Sequence, residues 1–403
     1  MPLYQRFIAR QPILNSKLSL LGYELLFRAG TNGNAPADRD ATARVIGAST
    51  MLFNWESLLG RSLAFFNFGV SELLNGAAYL LPSALTVVEL PSAIKASDDV
   101  LHACKALRNA KYRIALDDFH DSEDQEALVP FADFLKVDFR QTSHEDQLRI
   151  SRKYAARELA LVAKKVETWR EFRRAKSLQF RNFQGYFFLE PQLLERRDIA
   201  STKANALRLI HAVQTSPMEL ARLEEILKQE PAFSVKLLRY LNSPVMARRA
   251  EITSLPMAIA LLGETEFRRW ASLAAVITPT EDKPAELVRT ALMRAFFCEE
   301  IARLAHPRST TFEFFLVGLL SVMNAILDRP LAEIVSELAV SGRVREALTG
   351  SPNELRQPLD AALAYERGDW AEFSKIMETL AMPEEFVPDC FLAADQNVRA
   401  LLA

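Results

Sequence analysis

Short apolar runs in the first half of the chain end on side chains that carry oxygen or charge: Glu24, Asn67, Glu89, Asp117 with Asp118, Lys136, Glu167 and Gln184. Singly each is ordinary, because strand ends and turns are commonly polar. Jointly they form a set of carboxylate and amide oxygens in a chain with only five histidines. That donor chemistry suits Mg²⁺, Mn²⁺ or Ca²⁺ better than zinc. An ion held this way commonly positions water for attack on a phosphate ester. One run departs from the pattern: LALVAKKVET, Leu159–Thr168, ends on two lysines, Lys164 and Lys165.

For these residues to meet, the elements carrying them must bring strand ends together. Candidate strands are Arg6–Ala9, Gly22–Phe27, Leu63–Phe68, Leu85–Leu90, Arg113–Leu116, Phe134–Val137, Ala160–Val166 and Gly185–Phe188. Helical stretches such as Asp98–Asn109 and Ser143–Arg157 separate several of them. Alternation of this kind predicts an α/β fold with a parallel sheet. Eight strands predict a barrel, whose strand C-termini share one mouth.

Beyond about residue 200 the strand pattern stops. The rest reads as amphipathic helices: Lys203–Gln214, Glu219–Gln229, Phe233–Asn242, Leu255–Leu262, Glu266–Ala274, Ala285–Leu304, Phe312–Leu327 and others to the end. Ser216-Pro217, Ser243-Pro244, Leu262-Gly263 and Arg329-Pro330 mark breaks. The expectation is a barrel domain over residues 1–197 and an all-helical domain over 198–403, consistent with a 403-residue chain too long for one core. Leu237, Leu238, Leu241, Ile259, Leu261 and Leu262 have core spacing.

Composition narrows the function classes. Forty-nine basic and 51 acidic residues leave a net charge of -2, which argues against bulk attraction to nucleic acid or an anionic membrane. Cys104, Cys298 and Cys390 are scattered without metal-ligand spacing, which fits a reduced, cytoplasmic setting. No apolar run reaches the roughly 18 residues of a membrane span, and residues 1–15 show no signal-peptide pattern.

The motifs, in order, resemble those of EAL domains, the cyclic di-GMP phosphodiesterases of bacteria. YELLFR (Tyr23–Arg28) resembles the family signature, with Leu25 in place of alanine, and RQPILN (Arg10–Asn15) the segment before it. FFNFG (Phe65–Gly69), VVELPS (Val87–Ser92), ALDDF (Ala115–Phe119), FLKVD (Phe134–Asp138) and QGYFF (Gln184–Phe188) follow in family order across residues 1–191. The resemblance implies a modified (β/α)₈ barrel. It implies that Glu24, Asn67, Glu89 and Asp117 hold one Mg²⁺ or Mn²⁺ ion, with Asp117 and Asp118 reaching a second. Lys136 would orient or polarise the attacking water. Gln11, Arg28 and Gln184 would lie along the dinucleotide, Arg28 as a phosphate contact.

Three departures cluster on the second ion. Active members carry EGVE where this chain has KKVE, so Lys164 replaces a catalytic carboxylate, while Glu167 keeps the later glutamate. An ammonium neither holds a cation nor accepts a proton. Its repulsion of a divalent ion a few ångströms away is several kcal/mol, even at an effective dielectric near ~20. Ser92 replaces a glutamate that anchors the loop after the paired aspartates, and that loop reads DDFHDSEDQE, with His120 in place of glycine. The expectation is that Lys164 pairs with Asp117 or Asp118; the alternative is that it extends to solvent. His120 is read as an exposed loop residue rather than a new ligand or base.

LEEILKQEPAFSVKLLRYLNSP (Leu223–Pro244) and ITSLPMAIALLGETEFRRW (Ile252–Trp270) resemble the HDOD domain, a helical relative of the HD hydrolases. In those hydrolases a His-Asp pair binds metal. The matching stretch here, GLLSVMNAIL (Gly318–Leu327), has Ser321 and Val322 at those positions, so no hydrolase site is expected. His211 and His306 are read as structural or surface residues. Family analogy assigns such domains to protein–protein signalling.

Three readings follow from the resemblance and its departures. The favoured one is a degenerate EAL–HDOD signalling protein that no longer hydrolyses cyclic di-GMP, binds it weakly or not at all, and contacts a signalling partner through its helical half. The second is a working phosphodiesterase that releases pGpG with one metal or a rearranged site. The third is a scaffold indifferent to the nucleotide. Oligomeric state stays open.

Overall fold

The computed structural model describes residues 6–29, 62–157, 159–192, 201–215, 263–280 and 283–402, with single positions between 218 and 229. Contacts divide the chain into two compact units, residues 1–188 with 365–371 and residues 189–364 with 372–403.

The first unit is a closed eight-stranded barrel in sequence order: β1 (Arg6–Asn15), β2 (Leu20–Ala29), β3 (Leu63–Asn67), β4 (Thr86–Leu90), β5 (Arg113–Leu116), β6 (Phe134–Asp138), β7 (Ala160–Lys164) and β8 (Asn182–Gln184). Six neighbouring pairs, from β2–β3 to β7–β8, are parallel. The expected parallel barrel is present with one exception, β1, which runs antiparallel to both β2 and β8. Its connection to β2 is a tight turn rather than a crossover. The Asn15 side-chain oxygen accepts from the Lys17 and Ser19 amides at 2.9 and 3.1 Å, and Leu18 takes a left-handed φ of 63°. A short loop of this kind joins only antiparallel strands.

The last strand also differs from the expected Gly185–Phe188. It ends at Gln184, and Phe187–Leu189 forms a 3₁₀ turn. Gly185 sits at φ 142°, where an added Cβ would lie 2.0 Å from the Val166 carbonyl oxygen. No side chain fits there, so the glycine turns the chain as soon as Gln184 is placed.

Helices follow the strands: α1 (Val70–Leu74), α2 (Asp98–Asn109), α3 (Glu123–Leu128), α4 (His144–Tyr154) and α5 (Trp169–Ser177). Ser97, Ser122 and Ser143 cap α2, α3 and α4 with their hydroxyls, and Thr168 with Glu171 closes a capping box on α5. Ile13, Phe65, Val87, Ala115, Phe134 and Val162 meet as one buried cluster, one residue from each of six strands.

The described part of the second unit is helical: α6 (Ser201–Gln214), α7 (Glu264–Ile277), α8 (Ala285–Ala305), α9 (Phe312–Leu320), α10 (Met323–Leu327) and further helices to Leu402. The single helix expected over Phe312–Leu327 is two. Val322 leaves helical geometry at φ -110°, ψ 7°, and the Ser321 hydroxyl bonds back to the Gly318 carbonyl at 2.7 Å. Gly318 itself lets α9 approach α8 closely, since a Cβ there would lie 2.4 Å from the Arg294 carbonyl oxygen. The expected helices Phe233–Asn242 and Leu255–Leu262 lie outside the described residues, as does most of Glu219–Gln229. So do the core positions Leu237, Leu238, Leu241, Ile259, Leu261 and Leu262. Among the described residues no helix is long and apolar enough to cross a membrane.

Candidate functional site

Strand pleating builds the site directly above the apolar cluster. Side chains two residues apart share a face. Two positions beyond Phe65, Val87, Ala115, Phe134 and Val162 come Asn67, Glu89, Asp117, Lys136 and Lys164. On antiparallel β1 the direction reverses, so the matching residue is Gln11, two before Ile13. Gln184 stands opposite Ile13, and Glu24 stands opposite Gln11. One polar layer thus caps one apolar layer.

Its hydrogen bonds are shared between strands. Gln184 Nε2 donates to Gln11 Oε1 and to Glu24 Oε2, both at 2.6 Å. Asn67 Nδ2 donates to Glu24 Oε1 at 3.1 Å. The fully buried Lys136 ammonium lies 2.7 Å from Glu24 Oε2, hydrogen-bonds Glu89 Oε1, and comes within 3.8 Å of Asp117. Lys164 lies 2.6 Å from Asp117 Oδ1 and 2.9 Å from Asp118 Oδ1. Its side chain is 11% exposed, so it does not extend to solvent.

Lys165 does something different. At φ 55° it turns the chain at the end of β7 and pairs with Asp138 at 2.6 Å. The two consecutive lysines therefore serve different carboxylates, only the first of them in the polar layer. Glu167 is exposed and bonds Arg140 at 2.8 Å. Arg28 is buried on β2, four residues from Glu24 and on the same face by strand period. His120 is exposed, its ring 3.1 Å from the Asp118 carbonyl oxygen.

Charge is unevenly compensated across this layer. Burial favours the neutral acid at Glu24, but the Lys136 and Lys164 ammonium charges and the hydrogen bonds from Lys136 and Gln184 overcome it and hold Glu24 down at about 2. Burial pushes Glu89 up to about 8, reinforced by the charges of Glu24 and Asp117 and only partly opposed by Lys136. Burial works against charge on Lys136 as well, yet Glu24, Glu89 and Asp117 raise it above the ordinary lysine range. At Lys164 burial and the neighbouring Lys136 act downward, and Asp117, Glu24 and Asp118 outweigh them.

The donor set can be tested against the ions that the resemblance implies. A second ion does not fit, because Asp117 and Asp118, its shared ligands, are taken up by the Lys164 ammonium. Among the described residues no group of three or more histidine, cysteine or acidic side chains is arranged to hold a metal. For a first ion the donor set keeps one open atom: Lys136 pairs with Glu24 and Glu89, and buried Glu89 Oε2 has no hydrogen-bond partner among the described residues. A bound cation would supply a partner for that oxygen.

Several residues that shape the site carry no sequence signal. Gln125, buried on α3, spans the Asp117 and Asp118 carbonyls, and Asp121 bonds three side chains of α4. In the helical unit, buried Arg294 donates to Ser321 Oγ at 3.2 Å, and Val322 is buried. Ser321 and Val322, the two positions that the resemblance aligns with a hydrolase metal pair, are thus a hydroxyl bonded by Arg294 and a buried apolar side chain. His306 stacks on Phe314, and the His211 ring lies 3.1 Å from the Glu337 carbonyl oxygen.

Residues 199–345 match the HDOD domain. The chain is 33% identical over 374 residues to the cyclic di-GMP phosphodiesterase CdgJ of Vibrio cholerae, covering 91% of this chain and 86% of the relative. It is 30% identical over 398 residues to YuxH of Bacillus subtilis, covering 96% and 97%. Among solved structures, Klebsiella pneumoniae BlrP1 in its calcium/cy-diGMP complex matches 46% of this chain and 55% of its own, at 23% identity and a TM-score of 0.38. The chain belongs to one family with CdgJ and YuxH, and its second half carries an HDOD domain.

Proposed function

We propose that this chain is a cyclic di-GMP-linked signalling protein whose barrel has lost phosphodiester hydrolysis and whose HDOD half contacts a signalling partner. The observation that carries the reading is the Lys164 ammonium, seated 2.6 Å from Asp117 and 2.9 Å from Asp118. Hydrolysis by a two-ion route requires anions to gather a second cation there. Here a covalently fixed cation already satisfies them.

The nucleotide class rests on the EAL-like order of motifs and on the relationship to CdgJ, itself described as a cyclic di-GMP phosphodiesterase. Gln11, Gln184 and Arg28 are the residues assigned to the dinucleotide. Glu24, Asn67, Glu89 and Asp117 are those that would hold one Mg²⁺ or Mn²⁺ ion. When bound, that ion supplies positive charge for a phosphate oxygen, and the chain's own residues orient the ligand. Calorimetry with cyclic di-GMP tests the receptor reading. Micromolar binding that disappears in Arg28→Ala supports it; silence in the unmodified chain favours a nucleotide-independent scaffold. Mn²⁺ titration of Lys164→Glu tests the site: divalent affinity should rise, and an unchanged titration would contradict the assignment of Lys164.

One observation favours a second reading, a working phosphodiesterase that yields pGpG. The first-ion residues and Lys136 are all present, and buried Glu89 keeps an oxygen without a partner among the described residues. Product formation by the unmodified protein separates the two.

A further inference from the structure

The Asp118–Lys164 contact depends on the shape of the loop 117–126. Asp118 and Asp121 both take left-handed φ, 42° and 64°, and neither is glycine. Such residues persist where their surroundings fix them. Two independent holds are present.

The first lies inside the loop. Gln125 is buried, its Nε2 reaches the carbonyl oxygens of Asp117 at 3.4 Å and Asp118 at 3.5 Å, and its Oε1 accepts from the His120 amide at 2.9 Å. One side chain therefore spans both backbone flanks of the turn. The second hold ties the loop to α4. The Asp121 carboxylate, 3% exposed, accepts from Arg149 Nη1 at 2.7 Å, from Lys153 Nζ at 3.0 Å and from the Tyr154 hydroxyl. Glu126 reinforces it through Lys153 and, at 3.3 Å, Tyr154. Buried Phe119 packs edge-on against the Tyr154 ring at 5.3 Å, and its amide donates to the Lys136 carbonyl at 2.8 Å. The loop is thus pinned on both sides of Asp118.

We propose that Gln125 and Asp121 are positioning residues which, acting through the loop 117–126, hold Asp118 against Lys164 and so keep the Lys164 ammonium in the barrel mouth. This rests on the reading that Lys164 takes the place of a second cation. It adds the part of the chain that sets this state: α4, through Arg149, Lys153 and Tyr154, is coupled to which cation the mouth contains.

The test is amine labelling of the full chain in chelator by reductive methylation, with peptide mass mapping of Lys164, Lys136 and the exposed Lys375. In the unmodified protein Lys164 should label far more slowly than Lys375; equal rates would overturn the Lys164 pairing itself, before the loop is in question. With that protection established, Asp121→Ala and Gln125→Met, the latter filling the same volume without an amide, should each raise Lys164 labelling several-fold while Lys136 stays unlabelled. Lys164 remaining as protected in both variants as in the unmodified chain overturns the proposal. Tyr154→Phe, which retains the ring against Phe119, should give a smaller rise in the same direction. If both variants expose Lys136 as fast as Lys164, the loop supports the barrel at large and the specific role is refuted.

Discussion

Lys164 Nζ lies 2.6 Å from Asp117 Oδ1, across the barrel mouth from β7 to the end of β5. In a site built from carboxylates this contact places a positive charge carried by the chain itself between two adjacent aspartates. The same polar layer holds a second internal cation, Lys136, on Glu24 and Glu89. Two ammonium groups carried by the chain itself thus compensate the carboxylates of this layer. The remaining imbalance falls on Glu89, the most deeply buried of the carboxylates.

Removing Lys136 should be costly. Its ammonium is fully buried between two buried carboxylates, and breaking such a group by deleting one partner typically costs about 3–5 kcal/mol. Lys136→Met should lower the urea midpoint of barrel unfolding accordingly. A change below about 1 kcal/mol would show that the pairing contributes little.

Glu89 predicts a pH dependence of the opposite sign to that of an ordinary paired carboxylate. Its folded-state value of about 8 lies above the unfolded value near 4.5. Between those pH values the folded chain binds more protons, so stability falls as pH rises from about 4.5 to 8. Glu89→Gln removes that dependence. In chelator, the variant should gain stability relative to the unmodified chain as pH increases through this window. Identical pH profiles would contradict the buried, under-compensated carboxylate.

Much of this layer was legible in the sequence because a strand repeats every two residues. Asn67, Glu89, Lys136 and Lys164 each follow a core residue by two positions, so their convergence follows once strands and barrel are assigned. The reversal of β1 was not legible. Its turn, NSKLS, contains no glycine, and the left-handed residue is Leu18, a type that gives no turn signal. The end of β8 was displaced because the aromatic run Tyr186–Phe188 follows Gly185 and reads as strand, and only the approach of the Val166 carbonyl shows that the strand stops before it. Gln125 and Asp121 were invisible for a different reason. Their partners lie on backbone atoms and on α4, which no local spacing reports.

Gly185 gives a prediction that links fold to ligand. A Cβ there would meet backbone rather than a mobile side chain, at a φ that other residues rarely adopt. Gly185→Ala should cost about 2–4 kcal/mol of barrel stability and weaken any cyclic di-GMP binding through the displaced Gln184. Unaltered unfolding and unaltered binding heat would remove Gly185 as the residue that sets Gln184.

In the helical unit the corresponding test is Gly318→Ala, where the added methyl would press on the Arg294 carbonyl. Circular dichroism should show a lowered melting temperature for the second unit with the barrel transition unchanged. A single unshifted transition would mean that α8 and α9 can separate freely.

The most direct measurement is product analysis. The unmodified full chain, incubated with cyclic di-GMP and either Mg²⁺ or Mn²⁺ and resolved by chromatography, should yield no more pGpG than the protein-free control. Sustained, metal-dependent release of pGpG would contradict the assignment of Lys164 as the cation that replaces hydrolysis.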